Sequence, residues 1–272
     1  MKPLNKNSAS SCFVLVAIGM ASTTCLAETI PVSEPIPTTG FVEAGIGHAD
    51  LTGNNANWND QYLRGNVRLN PSTRLFGEVS HQDHFDENGT FVGMGVTHDF
   101  NDIWYGSLSV GGSDKGSFLP KERVDGSLSH KWLDKKNLVT SAGFTYYHSR
   151  EGYIDRALLL EVAYYFDAPW IIQVGARLNR SNPGDVQSNR GYAAITYGRD
   201  KQYYLTLRHD EGKEAYQVVG SNALLSDFSS RETSLIWRQW LSSRYGFNLR
   251  ANEYKNPSYR RTELQAGVFV EF

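Results

Sequence analysis

Two short clusters carry residue types suited to nucleophilic chemistry, His148-Ser149 and His209-Asp210-Glu211. A nucleophile, a base within hydrogen-bond reach and an orienting acid would make a triad able to hydrolyse lipid esters. No motif ties the members of either cluster together, and Ser and Asp are common loop residues. The expectation is therefore a protein that is not an enzyme and has no catalytic residues. A second spacing, His81-Gln82-Asp83-His84, offers two imidazoles to a surface ion. Adventitious binding is the plainer reading of it, and no metal site and no cofactor are expected. His48, His81, His148 and His209 fall near one end of their segments, and His98 and His130 near the other. There an imidazole is one more amphipathic ring suited to an interface. Gly45-Ile46-Gly47 and Gly93-Met94-Gly95 are not followed by helical patterns, so they are not nucleotide loops. Alternate glycines in a strand relieve crowding or permit curvature.

The larger set of candidate residues is charged, and its members share a parity. Within 121–133, Arg123, Asp125, Ser127, Ser129 and Lys131 alternate with Val124, Gly126, Leu128, His130 and Trp132. Within 60–70, Arg64, Asn66, Arg68 and Asn70 alternate with Leu63, Gly65, Val67 and Leu69. Extended on the same parity, the polar face collects the bases Arg64, Arg68, Arg74, Arg123, Lys131, Arg177, Arg208, Arg238 and Arg250. It also collects the acids Glu43, Glu78, Asp125, Asp155, Glu161, Glu263 and Glu271. The sign is mixed. Such a face can bind and pass a polar solute, or pair across a narrow lumen and plug it, and both outcomes stay open.

The elements that hold this face read as strands. From Gly40 onward, fourteen segments of about ten residues alternate apolar and polar positions. They are 40–49, 60–70, 73–83, 90–100, 103–112, 121–133, 138–149, 153–166, 170–181, 189–198, 201–211, 230–241, 245–255 and 259–272. A count of twelve applies if two of these are loops. Short connections such as Asn101-Asp102 and Asp167-Ala168-Pro169 alternate with longer ones at 50–59, 84–89, 113–120, 182–188 and 212–229. Tight turns at one end and longer loops at the other, with an even strand count, suit an antiparallel up-and-down barrel in the outer membrane. Closure pairs every edge, sets apolar side chains against lipid and encloses the charged face. Phe100, Trp104, Trp132, Phe166, Trp170 and Tyr245 gather near the short turns, with Trp237 on the apolar parity, as in an interfacial belt.

Composition agrees. The 272 residues include 25 Gly and 12% aromatics, with a formal net charge of −2, which leaves no basic surplus for a nucleic acid. Residues 1–27 pair Lys2 and Lys6 with an apolar block, Cys12 to Met20, and small residues ending at Ala27. That is the pattern of a cleavable signal peptide for export. The chain's only cysteines, Cys12 and Cys25, fall inside it, so the remainder has no thiol for catalysis, metal or disulfide. Residues 28–39 hold three prolines and read as a periplasmic N-terminal segment, with 40–272 as the barrel.

The last segment alternates Leu264, Ala266, Val268, Val270 and a terminal Phe272, which looks like the signal read by the outer-membrane assembly machinery. With Thr233 to Glu253 (TSLIWRQWLSSRYGFNLRANE), Glu263 to Phe272 (ELQAGVFVEF) and the order of the segments, the chain resembles the YaiO family over about 40–272. The resemblance implies an integral, porin-like outer-membrane barrel of the Gram-negative envelope, in contact with membrane lipid and lipopolysaccharide. Such barrels are sometimes associated with cell-surface polysaccharide systems, so passage or display of a polar solute such as a saccharide is the leading functional expectation. The alternatives are a closed barrel that binds a partner through its outer loops and, behind it, a lipid-modifying enzyme.

Overall fold

The computed structural model describes residues 39–53, 55–218 and 224–272, with backbone alone at 217, 218, 224 and 225. The signal peptide expected at 1–27, and all of 28–39 except Thr39, lie outside the described residues.

Fourteen strands form one closed antiparallel sheet in which each pairs with its sequence neighbours and the last returns to the first. They are β1 (Gly40–Leu51), β2 (Trp58–Asn70), β3 (Thr73–His84), β4 (Glu87–Asp99), β5 (Trp104–Ser113), β6 (Pro120–Trp132) and β7 (Leu138–Ser149). They continue with β8 (Ile154–Tyr165), β9 (Trp170–Asn182), β10 (Val186–Arg199), β11 (Tyr203–Val218), β12 (Leu224–Trp240), β13 (Tyr245–Lys255) and β14 (Arg260–Glu271). The seam runs from Phe41↔Glu271 to Leu51↔Arg261. It is fastened at the two termini of the barrel segment, where the Phe272 carbonyl accepts from the Thr39 and Gly40 amides and the Phe272 amide donates to the Gly40 carbonyl.

Period-two alternation separates the two faces. Ile46, Leu63, Met94, Leu128, Leu264 and Val268 are exposed on the outside, each between 46% and 65%. Their neighbours in sequence are buried or half-buried inside. At the end carrying the termini, rings on the outer face meet one another: Trp104 lies 4.4 Å from His130, His130 4.2 Å from Trp132, and Trp170 4.6 Å from Tyr197. His98 joins this girdle 5.1 Å from Phe100. The histidines of this end act as interfacial rings.

The ladders continue through positions whose polarity suggests loops. β3 runs to His84 and β4 begins at Glu87, so the 84–89 connection contracts to Phe85-Asp86. Likewise 182–188 contracts to 183–185, and most of 212–229 is the paired hairpin β11–β12, with Gly212↔Ser230 and Tyr216↔Ser226 in register. The far-end excursions are long, but much of their length is strand. Beyond a bilayer a strand needs no apolar face, because water and cross-strand amides satisfy its backbone.

Candidate functional site: a divided lumen

The interior is filled on one side and open on the other. The filled side belongs to β12, β13, β14, β1 and β2. Glu43 of β1 is fully buried and accepts from Arg64 Nη2 at 2.7 Å, Tyr62 Oη at 3.0 Å and Asn248 Nδ2 at 2.6 Å. Arg238 stands 3.5 Å from Glu43 and 3.6 Å from Glu271, with its guanidinium 3.6 Å from the Phe269 ring centroid. Glu271 also takes the Lys201 ammonium and, at 3.0 Å, Trp240 Nε1. One layer toward the far end, Glu232 accepts from Asn252 Nδ2 at 2.7 Å and Arg250 Nη2 at 3.4 Å, while Arg261 bridges Glu232 and Glu263.

Rings close this side at both ends. Toward the far end Trp58 stacks on His84 at 4.0 Å, His84 on Phe118 at 4.5 Å, and Phe85 and Tyr259 complete the cap. Asp60 holds the His84 Nε2 at 2.8 Å. Toward the termini, Tyr204, Trp240 and Phe269 form a buried cluster.

The open side is bounded by β5 to β11 and encloses a cavity of about 390 Å³, within the range of about 300–1,000 Å³ common for small-molecule sites. Hydroxyls recur along its wall. Ser107 and Ser127 lie 2.7 Å apart, Ser129 and Ser141 2.8 Å, and Asn179 Nδ2 donates to Ser181 and Ser188 at 3.0 Å each. Two strands present the same Arg-x-Asp pattern, whose spacing of two puts both side chains on one face. Arg123 forks onto Asp125 at 2.7 and 3.1 Å, and Arg208 onto Asp210 at 2.7 Å through both nitrogens. The Arg208 guanidinium lies 3.7 Å over the Tyr192 ring, and the Tyr192 hydroxyl donates to Glu161. Tyr192 lies flat on the wall because Gly175 has no side chain; a Cβ there would come 2.3 Å from its ring.

Most of the sequence-selected charges thus fall into two sets. Arg64, Arg238, Arg250 and Glu263 belong to the filled side, and Arg123, Asp125, Glu161, Arg177 and Arg208 to the cavity. Glu78 sits opposite Arg64 in register, and Arg68 opposite Arg74 near the termini. Arg190, Asp210, Glu214, Glu232 and Arg261 also face inward. Parity within their segments would have found all but Glu214, which the polarity pattern assigns to a loop.

The candidate catalytic clusters do not assemble. Ser149 is buried inside the barrel and accepts from the Tyr153 amide at 2.9 Å, whereas His148 points outward toward Glu122. Asp210 faces inward beside Arg208 while His209 faces outward and meets Thr233 at 2.8 Å. His81 and His84 also lie on opposite faces. Among the described residues, no group of three or more His, Cys, Asp or Glu side chains is placed to hold a metal ion.

A closed fourteen-strand sheet with an apolar outside, an aromatic girdle and a charged interior defines a porin-like outer-membrane β-barrel. The YaiO membrane beta barrel domain matches residues 40–217, and the chain belongs to that family. No curated protein sequence matches it. Among solved structures, a bacterial polysaccharide outer membrane secretin is similar with a TM-score of 0.55 and 9% identity, covering 87% of this chain and 99% of that one. OmpTdeltaL8, a loop L8 deletion mutant of the Vibrio cholerae outer membrane protein OmpT, has a TM-score of 0.50 and 9% identity, covering 86% of this chain and 99% of that one. Identities this low speak of fold alone.

Proposed function

We propose that this barrel is a non-enzymatic outer-membrane protein that gives a polar solute, a saccharide, an off-axis path along β5 to β11. The cavity carries the reading. Its wall supplies hydroxyls, an amide and pre-formed Arg–Asp forks, a mixed set of donors and acceptors able to replace the water around a sugar. The filled side keeps the path narrow. Planar-bilayer recording on the folded protein tests it. Small, uniform conductance steps that a neutral oligosaccharide reduces are expected, and a folded preparation with no steps overturns the reading.

A second reading, a closed barrel that engages a partner through its outer surface, is favoured by the β11–β12 hairpin, which carries the longest strands of the sheet. In either case the outward apolar belt contacts outer-membrane lipid and lipopolysaccharide, and Phe272, half exposed at the seam, is the residue offered to the assembly machinery.

A further inference from the structure

The inward bases of the cavity differ in one respect. Arg123 is neutralised by Asp125, Arg208 by Asp210, and Arg190 by Glu214 with Ser230 Oγ at 2.9 Å. Arg177 of β9 lines the same cavity and has no hydrogen bond or ion pair to any described residue. The acids that act on it from a distance, Asp155 and Asp125, are engaged elsewhere. Asp155 accepts from Ser181, and Asp125 from Arg123 and, at 2.8 Å, Thr145. Arg177 also stands directly opposite Arg190 across the β9–β10 ladder, on the same inner face. Glu214 already meets the charge of Arg190, so Arg177 is the guanidinium of this pair left to an anion.

Resting on the saccharide reading above, we propose that Arg177 is an anion subsite and that the sugar this lumen takes carries a carboxylate. A guanidinium presents a planar fork that matches a carboxylate through two parallel N–H···O bonds. The hydroxyls of Ser188 and Ser141 line the same cavity; each makes one hydrogen bond, to Asn179 and to Ser129, and keeps capacity for a ring hydroxyl of the sugar. A neutral sugar would leave the fork unpaired, whereas a small inorganic anion would leave the hydroxyl wall unused.

The experiment is an NMR titration of the detergent-folded full barrel with a uronic-acid disaccharide, its carboxyl-reduced counterpart and inorganic phosphate. Wild type is expected to hold the acid form at least ~10-fold tighter than the reduced one, because bonds to charged groups are among the stronger ones. Phosphate is expected to compete weakly. Arg177→Gln should abolish the preference for the acid form, bringing the two sugars to equal affinity, and Arg177→Lys should keep part of the preference. Heat-modifiable mobility on a gel shows that each variant is folded, and the wild-type comparison stands without either. Equal affinity for both sugars in wild type overturns the carboxylate subsite and leaves the saccharide path intact. Phosphate binding as tightly as the acid sugar overturns the saccharide part of the subsite. Binding of neither sugar sinks the saccharide path and the subsite together.

Discussion

Glu43 shows how a single inward residue organises a wall. Its carboxylate has no exposed surface and draws donors from β2, β12 and β13, one of them 205 positions away in the chain. Tyr62 reaches it by lying across Gly45 and Gly267, where a Cβ would come 2.4 and 2.5 Å from the phenol. Removing one partner of such a buried set strands the others, so Glu43→Ala should cost about 3–5 kcal/mol. Glu43→Gln keeps acceptors for Arg64 and Tyr62 and should cost distinctly less. Urea unfolding of the barrel in vesicles measures both, and equal midpoints for Glu43→Ala and wild type would show that the network does not bear on stability. Parity alone placed Glu43 inside with Arg64 and Arg238. It could not pair them, because which inward side chains meet depends on how far each strand is staggered on closure. For the same reason the unpaired state of Arg177 is invisible in the sequence, where it looks like any other inward arginine.

Strands that leave the membrane are where polarity and structure part. Fourteen segments are legible because lipid demands apolar residues at every second position, but that demand ends at the interface. The β3–β4 turn shows what replaces it. Phe85 and Asp86 adopt φ of 53° and 65°, the left-handed region that two-residue hairpins require and that glycine or asparagine usually supplies. Phe85 holds this conformation because its ring is buried 5.1 Å from Trp58 and 6.0 Å from Tyr259. Phe85→Gly relieves a backbone penalty of about 1–3 kcal/mol but forfeits packing of about 3–5 kcal/mol. The expected result is a net loss seen as faster protease cleavage at the far end, and slower cleavage would mean that the strain outweighs the packing. The next connection adds a pH dependence. Asp114, outside the membrane at the end of β5, accepts from the Thr90 amide at 2.7 Å, and that bond holds its carboxyl below the ordinary value of 3.8. A carboxyl depressed in the folded state stabilises fully above its unfolded value and loses that contribution as pH falls through the lowered one. The Thr90 amide should therefore stay protected from hydrogen exchange at neutral pH and open in acid below that value. Asp114→Asn should shift its protection little with pH, and an unchanged pH profile in that variant would remove Asp114 as the cause.

Across the whole molecule, a chain whose inward charges are nearly balanced has divided its lumen rather than filled it evenly. Networks of Glu43, Glu232 and Glu271 with their arginines occupy one side, between aromatic layers, and the serines and the Arg–Asp forks keep the other side open. The sequence supplies the charges of both sides but not the division, since a strand's parity is the same whether its side chain meets a partner or a cavity. Thiol accessibility reads the division directly. The chain's only cysteines are Cys12 and Cys25, so in a variant lacking both a cysteine placed in the barrel is the sole thiol. Ser127 lines the cavity, whereas Ser234 on β12 is 1% exposed and sits 3.2 Å from Asn252 in the filled side. Both replacements exchange a hydroxyl for a thiol of similar size, so neither perturbs the packing by much. A small water-borne thiol reagent should modify Ser127→Cys within the time it modifies an exposed loop thiol, and Ser234→Cys at least ~10-fold more slowly, since a reagent must first find the buried side chain opened by local fluctuation. Modification of Ser127→Cys should also reduce any current through the barrel, because solute and reagent share the same path. Equal rates at the two positions would mean that water reaches both sides alike, and that the ion-pair networks line a single wet lumen instead of closing half of it.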